Sequence, residues 1–126
     1  VTKYAINGKF MTQEDPIEQA MIEMFAQMHA HFGKAVKGYW YYERETCPGC
    51  GRRVGSMQYK GQEAVSLNAF IYRKRGILIG YRLCNRCANE IHRSAKKQPG
   101  VQIPRHDIIE KTLSAAYEAH MNKMDA

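Results

Sequence analysis

The chain has 126 residues, a net charge of +7, and ordinary apolar (44%) and charged (25%) fractions. That length suits a single domain, 1–126, with a modest core, and the composition excludes wholesale disorder. No apolar run approaches the ~18 residues that cross a bilayer, and the first residues lack the basic end, apolar stretch and small-residue site of a secretory signal.

In residues 1–14, Tyr4, Ile6 and Phe10 suggest a short strand, and Asn7-Gly8 is a turn dipeptide. Asp15-Pro16-Ile17-Glu18 then opens a helix: Asp15 can cap, Pro16 suits the first helical position, and Glu18 completes a capping-box-like pattern. Ile17, Met21, Met24, Phe25, Met28, Phe32 and Ala35 recur at three- and four-residue spacing, one apolar stripe that Gly38 should end. Its methionines also suit an adaptable partner or homodimer surface. Tyr39-Trp40-Tyr41-Tyr42 reads as a strand leading to the first of two cysteine pairs.

The pairs are Cys47-Pro48-Gly49-Cys50 and Cys84-Asn85-Arg86-Cys87, and they hold every cysteine of the chain. Two thiolates two residues apart can close on one tetrahedral ion. Two such pairs fill all four positions of Zn²⁺ and leave none open for substrate. One structural zinc is therefore expected, although iron accepts the same ligands. Thiols kept reduced for a metal point to a cytoplasmic or nuclear setting. Between the pairs, 56–60, 65–72 and 77–83 read as strands, with Arg73-Lys74-Arg75-Gly76 turning the last two into a hairpin with a basic tip.

The pairs differ in context. Gly51 after Cys50 suits the tight turn of a knuckle. Ala88-Asn89-Glu90-Ile91-His92-Arg93 after Cys87 is helical, with Cys87, Ile91 and Ala95 on its inner face as far as about Lys97. At a helix N-terminus, free N–H groups and the dipole stabilise thiolates. Pro99-Gly100 breaks that helix. Pro104 sets the next boundary, and Asp107-Ile108-Ile109-Glu110 is a second capping-box pattern. The final helix should run to Met124 with Ile109, Leu113, Ala116, Tyr117, His120 and Met124 inward.

Knuckle, hairpin, then helix is the order of a treble-clef zinc finger, and residues 47–97 resemble that superfamily. The resemblance implies an α+β fold: a treble-clef-like zinc module, 47–97, flanked by an N-terminal helix and strand in 1–46 and a C-terminal helix in 98–126. A zinc ribbon would also carry paired Cys-x-x-Cys motifs, but no glycine follows Cys87. Leu83-Cys84-Asn85-Arg86-Cys87 looks like the helix entry of GATA-type fingers, whose pairs lie closer together. The 33-residue gap is similar to that of zinc-framed HNH nucleases. Residues 51–83, however, hold no His or Asp, and Glu63 is their only carboxylate. The likeness covers the scaffold and stops before the catalytic residues.

The positive charge is not spread evenly. Residues 47–97 carry +9, while 1–46 and 98–126 carry −1 each. Arg52 and Arg53 follow the knuckle, and Arg73, Lys74 and Arg75 form the hairpin tip. Arg86, Arg93 and Lys97 make one helical stripe, with Asn89, His92 and Lys96 beside it. Any one of these can be a plain solvated charge. Together they suggest contact with DNA or RNA, Arg and Lys neutralising phosphates and Asn89 or an Arg facing base edges. Tyr59, Phe70, Tyr72 and Tyr81 suit packing better than base stacking. His29 and His31 do not share a helical face, and His120 falls on an apolar side. The expected function is regulatory or architectural nucleic-acid binding. The alternative is an adaptor or inhibitor docking on an acidic protein. A divergent nuclease using His92 or Glu90 is the third.

Overall fold

The computed structural model describes residues 2–6, 9–12, 17–54, 57–59 and 62–125, with side chains over 20–54 and 66–124. In chain order the elements are β1 (Thr2–Ile6), β2 (Lys9–Thr12), α1 (Ile17–Phe32), a 3₁₀ turn (Gly33–Ala35), β3 (Gly38–Tyr41), β4 (Met57–Tyr59), β5 (Gln62–Tyr72), β6 (Ile77–Leu83), α2 (Asn85–Lys97) and α3 (Pro104–Asp125). The fold is α+β. Among the described residues the strands form one mixed sheet in the order β2-β1-β5-β6-β3, with β4 also paired to β5.

The hairpin expected between the cysteine pairs is the centre of this sheet. β5 and β6 pair antiparallel from Ser66↔Leu83 to Tyr72↔Ile77. The turn closes through the Gly76 N–H on the Tyr72 carbonyl at 2.9 Å, with Gly76 at φ +68°, a conformation that favours glycine. β1 adds to β5 in parallel, and β3 adds to β6 in parallel. The N-terminal segment is thus woven into the hairpin's own sheet rather than placed beside it.

Side chains alternate across the sheet with the period of two that a strand imposes. Ile79, Tyr81 and Leu83 of β6 face one way, into a cluster with Ile109, Leu113 and Tyr117 of α3 and with Cys47, Cys84 and Cys87. On the other face α1 lays Ala20 and Met24 against Leu67, with Met21, Phe25 and Met28 around them. The methionine stripe thus packs on the sheet of its own chain. Gly80 permits that close approach: a Cβ there would sit 3.0 Å from Phe25 Cζ and 3.3 Å from Met24 Cε. The expected packing role of Tyr81 is observed, and Tyr72 and Phe70 pack against the same cluster.

Several expectations need correction. α1 ends at Phe32, because Gly33 turns the chain at φ +57°; Gly38 instead opens β3, and Ala35 is exposed in the 3₁₀ turn. α3 begins at Pro104, three residues before the expected cap at Asp107. The preceding Ile103 N–H is satisfied by His106 Nδ1 at 3.1 Å, so the histidine does the reaching back that Glu110 was expected to do. Ala95, His120 and Met124 are exposed, and Met121 packs on the core in place of Met124. His120 does lie against the Trp40 ring, with centroids 5.3 Å apart. The strand expected at 56–60 is observed as Met57–Tyr59. Asn7-Gly8 and the Asp15-Pro16 cap lie outside the described residues, as does the side chain of Tyr59.

Candidate metal centre and basic surface

The two cysteine pairs are built differently, as their neighbours in sequence imply. The first sits in a reversed turn. The Cys47 N–H donates to the Arg52 carbonyl at 2.7 Å, and the Gly51 N–H returns to the Cys47 carbonyl at 2.8 Å. Gly51 has φ +77°, which a side chain would strain. The second pair straddles a helix start. Cys84 is the N-cap of α2, and its sulfur accepts the Cys87 N–H at 3.5 Å. β6 delivers Cys84 to the knuckle, so hairpin register fixes the meeting of the two pairs.

The four sulfurs lie within 4.8 Å of one another. Zn–S bonds of about 2.3 Å in a tetrahedron place sulfurs about 3.8 Å apart, so the group can hold one metal ion, and zinc fits it. Cys50 Sγ and Cys84 Sγ lie 3.5 Å apart, far beyond a disulfide bond, and all four cysteines are free. Cys47, Cys84 and Cys87 are buried; Cys50 is exposed. Burial pushes the Cys47 and Cys87 thiols up. Cys84 is desolvated too, but the Cys87 N–H and the neighbouring thiols outweigh this and bring it down to about 7. A divalent cation supplies the charge that lets buried thiols ionise together.

Gly49 makes one contact within the knuckle and one to α3. The Gly49 N–H donates to Cys47 Sγ at 3.3 Å. A Cβ on Gly49 would lie 2.9 Å from Cys87 Sγ and 3.2 Å from Ile109 Cγ1, so this position excludes larger residues. The Gly49 carbonyl accepts a hydrogen bond from Arg105 Nη1 at 2.6 Å, and Arg105 Nε donates to Glu90 Oε1 at 3.1 Å. Arg105 was missed from sequence. The available signal was an arginine directly after the helix-opening Pro104, where the dipole disfavours a cation unless another contact holds it.

Arg52, Arg86, Asn89, His92 and Arg93 line one concavity of about 560 Å³ beside Cys50, with Arg105 as part of its wall. Among the described residues none of Arg52, Arg86 and Arg93 has a salt bridge. Glu90, also in the lining, is engaged by Arg105. Asn89 Nδ2 donates to Asn85 Oδ1 at 2.6 Å. Lys97 lies a further turn along α2, in a shallow hollow with Arg93 and Gln98, and Lys96 is exposed. Arg53 turns to Glu45 at 3.3 Å, both well exposed.

The hairpin tip is elsewhere. It stands at the opposite end of β6 from Cys84, about 26 Å away at the usual strand rise. There the Arg75 guanidinium clasps Glu118 of α3, with Nε and Nη2 at 2.8 and 2.7 Å from its two oxygens, and Tyr72 donates to the same carboxylate at 2.9 Å. Arg75 and Tyr72 hold the Glu118 carboxyl down at about 2. Arg73 lies over the Phe32 ring at 5.4 Å, and Lys74 is exposed. The sequence-derived basic residues therefore divide into two groups, of which one is partly occupied by contacts within the chain.

No family model, curated protein or solved structure matches the chain. No helix is long and apolar enough to cross a membrane.

Proposed function

We propose that the protein is a zinc-stabilised nucleic-acid-binding module whose contact surface is the concavity between the knuckle and α2. The observation that carries this reading is the convergence of Arg52, Arg86 and Arg93 on one hollow with no carboxylate partner among the described residues. Three unpaired guanidiniums held on a metal-braced frame suit the bidentate grip that Arg makes on phosphate oxygens. Asn89 and His92 stand beside them as hydrogen-bonding groups for a base edge. The zinc frame is read as a treble clef, supported by the succession of knuckle, antiparallel hairpin and a helix entered at its second cysteine pair.

The hairpin tip is left out of this surface. Arg75 is held by Glu118, and the tip lies at the other end of β6 from α2, so Arg73 and Lys74 would touch a different stretch of any ligand.

Titrating labelled single-stranded and duplex oligonucleotides by fluorescence anisotropy tests the reading. Three phosphate contacts imply that affinity falls roughly 20-fold for single strands and 40-fold for duplex between 50 and 200 mM salt. Undetectable binding at low salt would sink the proposal. A second reading, docking of a protein partner, draws on β3: it ends the sheet, its outer edge is unpaired among the described residues, and Tyr39 is half exposed there. A partner kept through nuclease treatment favours that reading. Cleavage that needs added divalent metal and disappears in His92→Ala would replace binding with catalysis.

A further inference from the structure

Arg105 is built into the wall of the metal centre more firmly than any other cation in the described residues of the concavity. One arm of its guanidinium holds the Gly49 carbonyl at 2.6 Å, and the other holds Glu90 at 3.1 Å. With Arg105 itself on α3, these two contacts tie together three elements: knuckle, α2 and α3. Its side chain is mostly covered, at 28% exposure. The Gly49 carbonyl belongs to the peptide that leads into Cys50, the one exposed cysteine of the cluster. Arg105 lines the same concavity as Cys50 and Cys87.

These contacts have an electrostatic reason. Four thiolates outweigh one divalent ion by two negative charges. Three of these cysteines are buried, where unbalanced charge is costly, and a fixed guanidinium alongside offsets it. The mechanical reason is separate. A metal held by three buried sulfurs and one exposed one is lost through the exposed one, because water and competing ligands reach that bond first. Whatever pins the peptide entering Cys50 slows that loss.

We propose that Arg105 is a positioning residue of the metal centre: it latches the Cys50 arm of the knuckle to α2 and α3, and so sets how fast zinc is released. The proposal rests on the metal reading of the four cysteines and is independent of nucleic-acid binding. The outer partners of metal ligands typically change metal affinity by about 10- to 100-fold when removed. Arg105→Gln keeps polar bulk but loses both the charge and the fork. Arg105→Lys keeps the charge and loses the two-armed geometry.

The test uses the full chain purified with zinc. Zinc content is measured by atomic emission, and transfer to a chromogenic chelator is timed. Alkylation of each cysteine by iodoacetamide in the native protein is followed by mass spectrometry. One zinc per chain is expected in wild type and both variants. Transfer should be at least about 10-fold faster in Arg105→Gln, with Arg105→Lys between it and wild type. Cys50 should be alkylated ahead of the other three, and by a wider margin in the variants. A merely structural role would expose all four cysteines together. Transfer within twofold of wild type in Arg105→Gln, or a common alkylation rate at all four cysteines, overturns the proposal. A wild-type chain that holds no zinc overturns the metal reading and this inference with it. If Arg105→Gln does not fold, Glu90→Ala removes only the far anchor; transfer should then quicken severalfold, and an unchanged rate overturns the latch.

Discussion

The two ends of β6 carry similar charge and differ in what that charge does. At the Gly76 end, Arg75 is clamped to Glu118 and Arg73 lies on Phe32. At the Cys84 end, Arg52, Arg86 and Arg93 line a hollow and have no partner of opposite charge among the described residues. Charge density along a sequence therefore does not separate arginines that brace the fold from arginines free to bind. The separation comes from where carboxylates fall in space. Glu118, 43 residues beyond Arg75, occupies the tip. Glu90, in the lining of the hollow with the arginines, is engaged by Arg105.

The largest effect that can sharpen this contrast is loss of the frame. Cys87→Ser removes a buried ligand, and Gly49→Ala drives a Cβ to within 2.9 Å of Cys87 Sγ. Both should abolish stoichiometric zinc and, with it, the packing of the cysteine-side core, which circular dichroism from the Trp40 cluster reports. Structural zinc contributes about 10 kcal/mol or more of folding free energy in small modules, so a variant that melts like wild type would break the metal account.

Next comes the core beneath the frame. Leu113 is fully buried among Ile109, Tyr117 and β6. Leu113→Ala should cost about 2–5 kcal/mol in urea unfolding. An overfilled α1 face is expected to cost less: Gly80→Ala crowds Phe25 and Met24, worth about 1–3 kcal/mol. Gly80→Ala should leave zinc content intact, because α1 packs on the opposite side of the sheet from the cysteines. Zinc lost in step with stability would mean that the two faces are not separable.

The smallest effect belongs to the tip. Arg75 and Tyr72 hold Glu118 down at about 2 from an ordinary 4.5. A carboxyl lowered on folding stabilises fully above its unfolded value, and that contribution fades as pH falls through the folded value. The wild type should thus melt slightly above Glu118→Gln at pH 5–7, and the two should converge near pH 2. Arg75 is exposed and Glu118 partly so, and solvent screening keeps the difference small. A difference that grows as the pH falls would contradict the clamp.

What was legible from sequence follows the range of the interactions involved. The ligands, the knuckle at Gly51, the hairpin turn at 73–76 and the helix after Cys84 are set by neighbours a few residues apart, and each lies where spacing places it. The parallel additions of β1 and β3 depend on strands far along the chain and leave no local mark. The same holds for Arg75 with Glu118 and for Arg105 with Gly49. Helix periodicity overextended the apolar faces: Ala95 and Met124 have the right spacing but lie beyond the elements that could cover them. The end of α1 was misjudged because two glycines compete, and Gly33 takes the positive φ first.

The most direct measurement is oligonucleotide affinity at 50 and 200 mM salt for two double variants, Arg86→Ala with Arg93→Ala and Arg73→Ala with Lys74→Ala. Each removes two positive charges. If the hollow beside α2 is the binding surface, the first should reduce the salt slope by about 2 for duplex and weaken binding severalfold or more, while the second stays within about twofold of wild type. Equal losses in both, or a larger loss at the tip, would contradict the division between the two ends of β6.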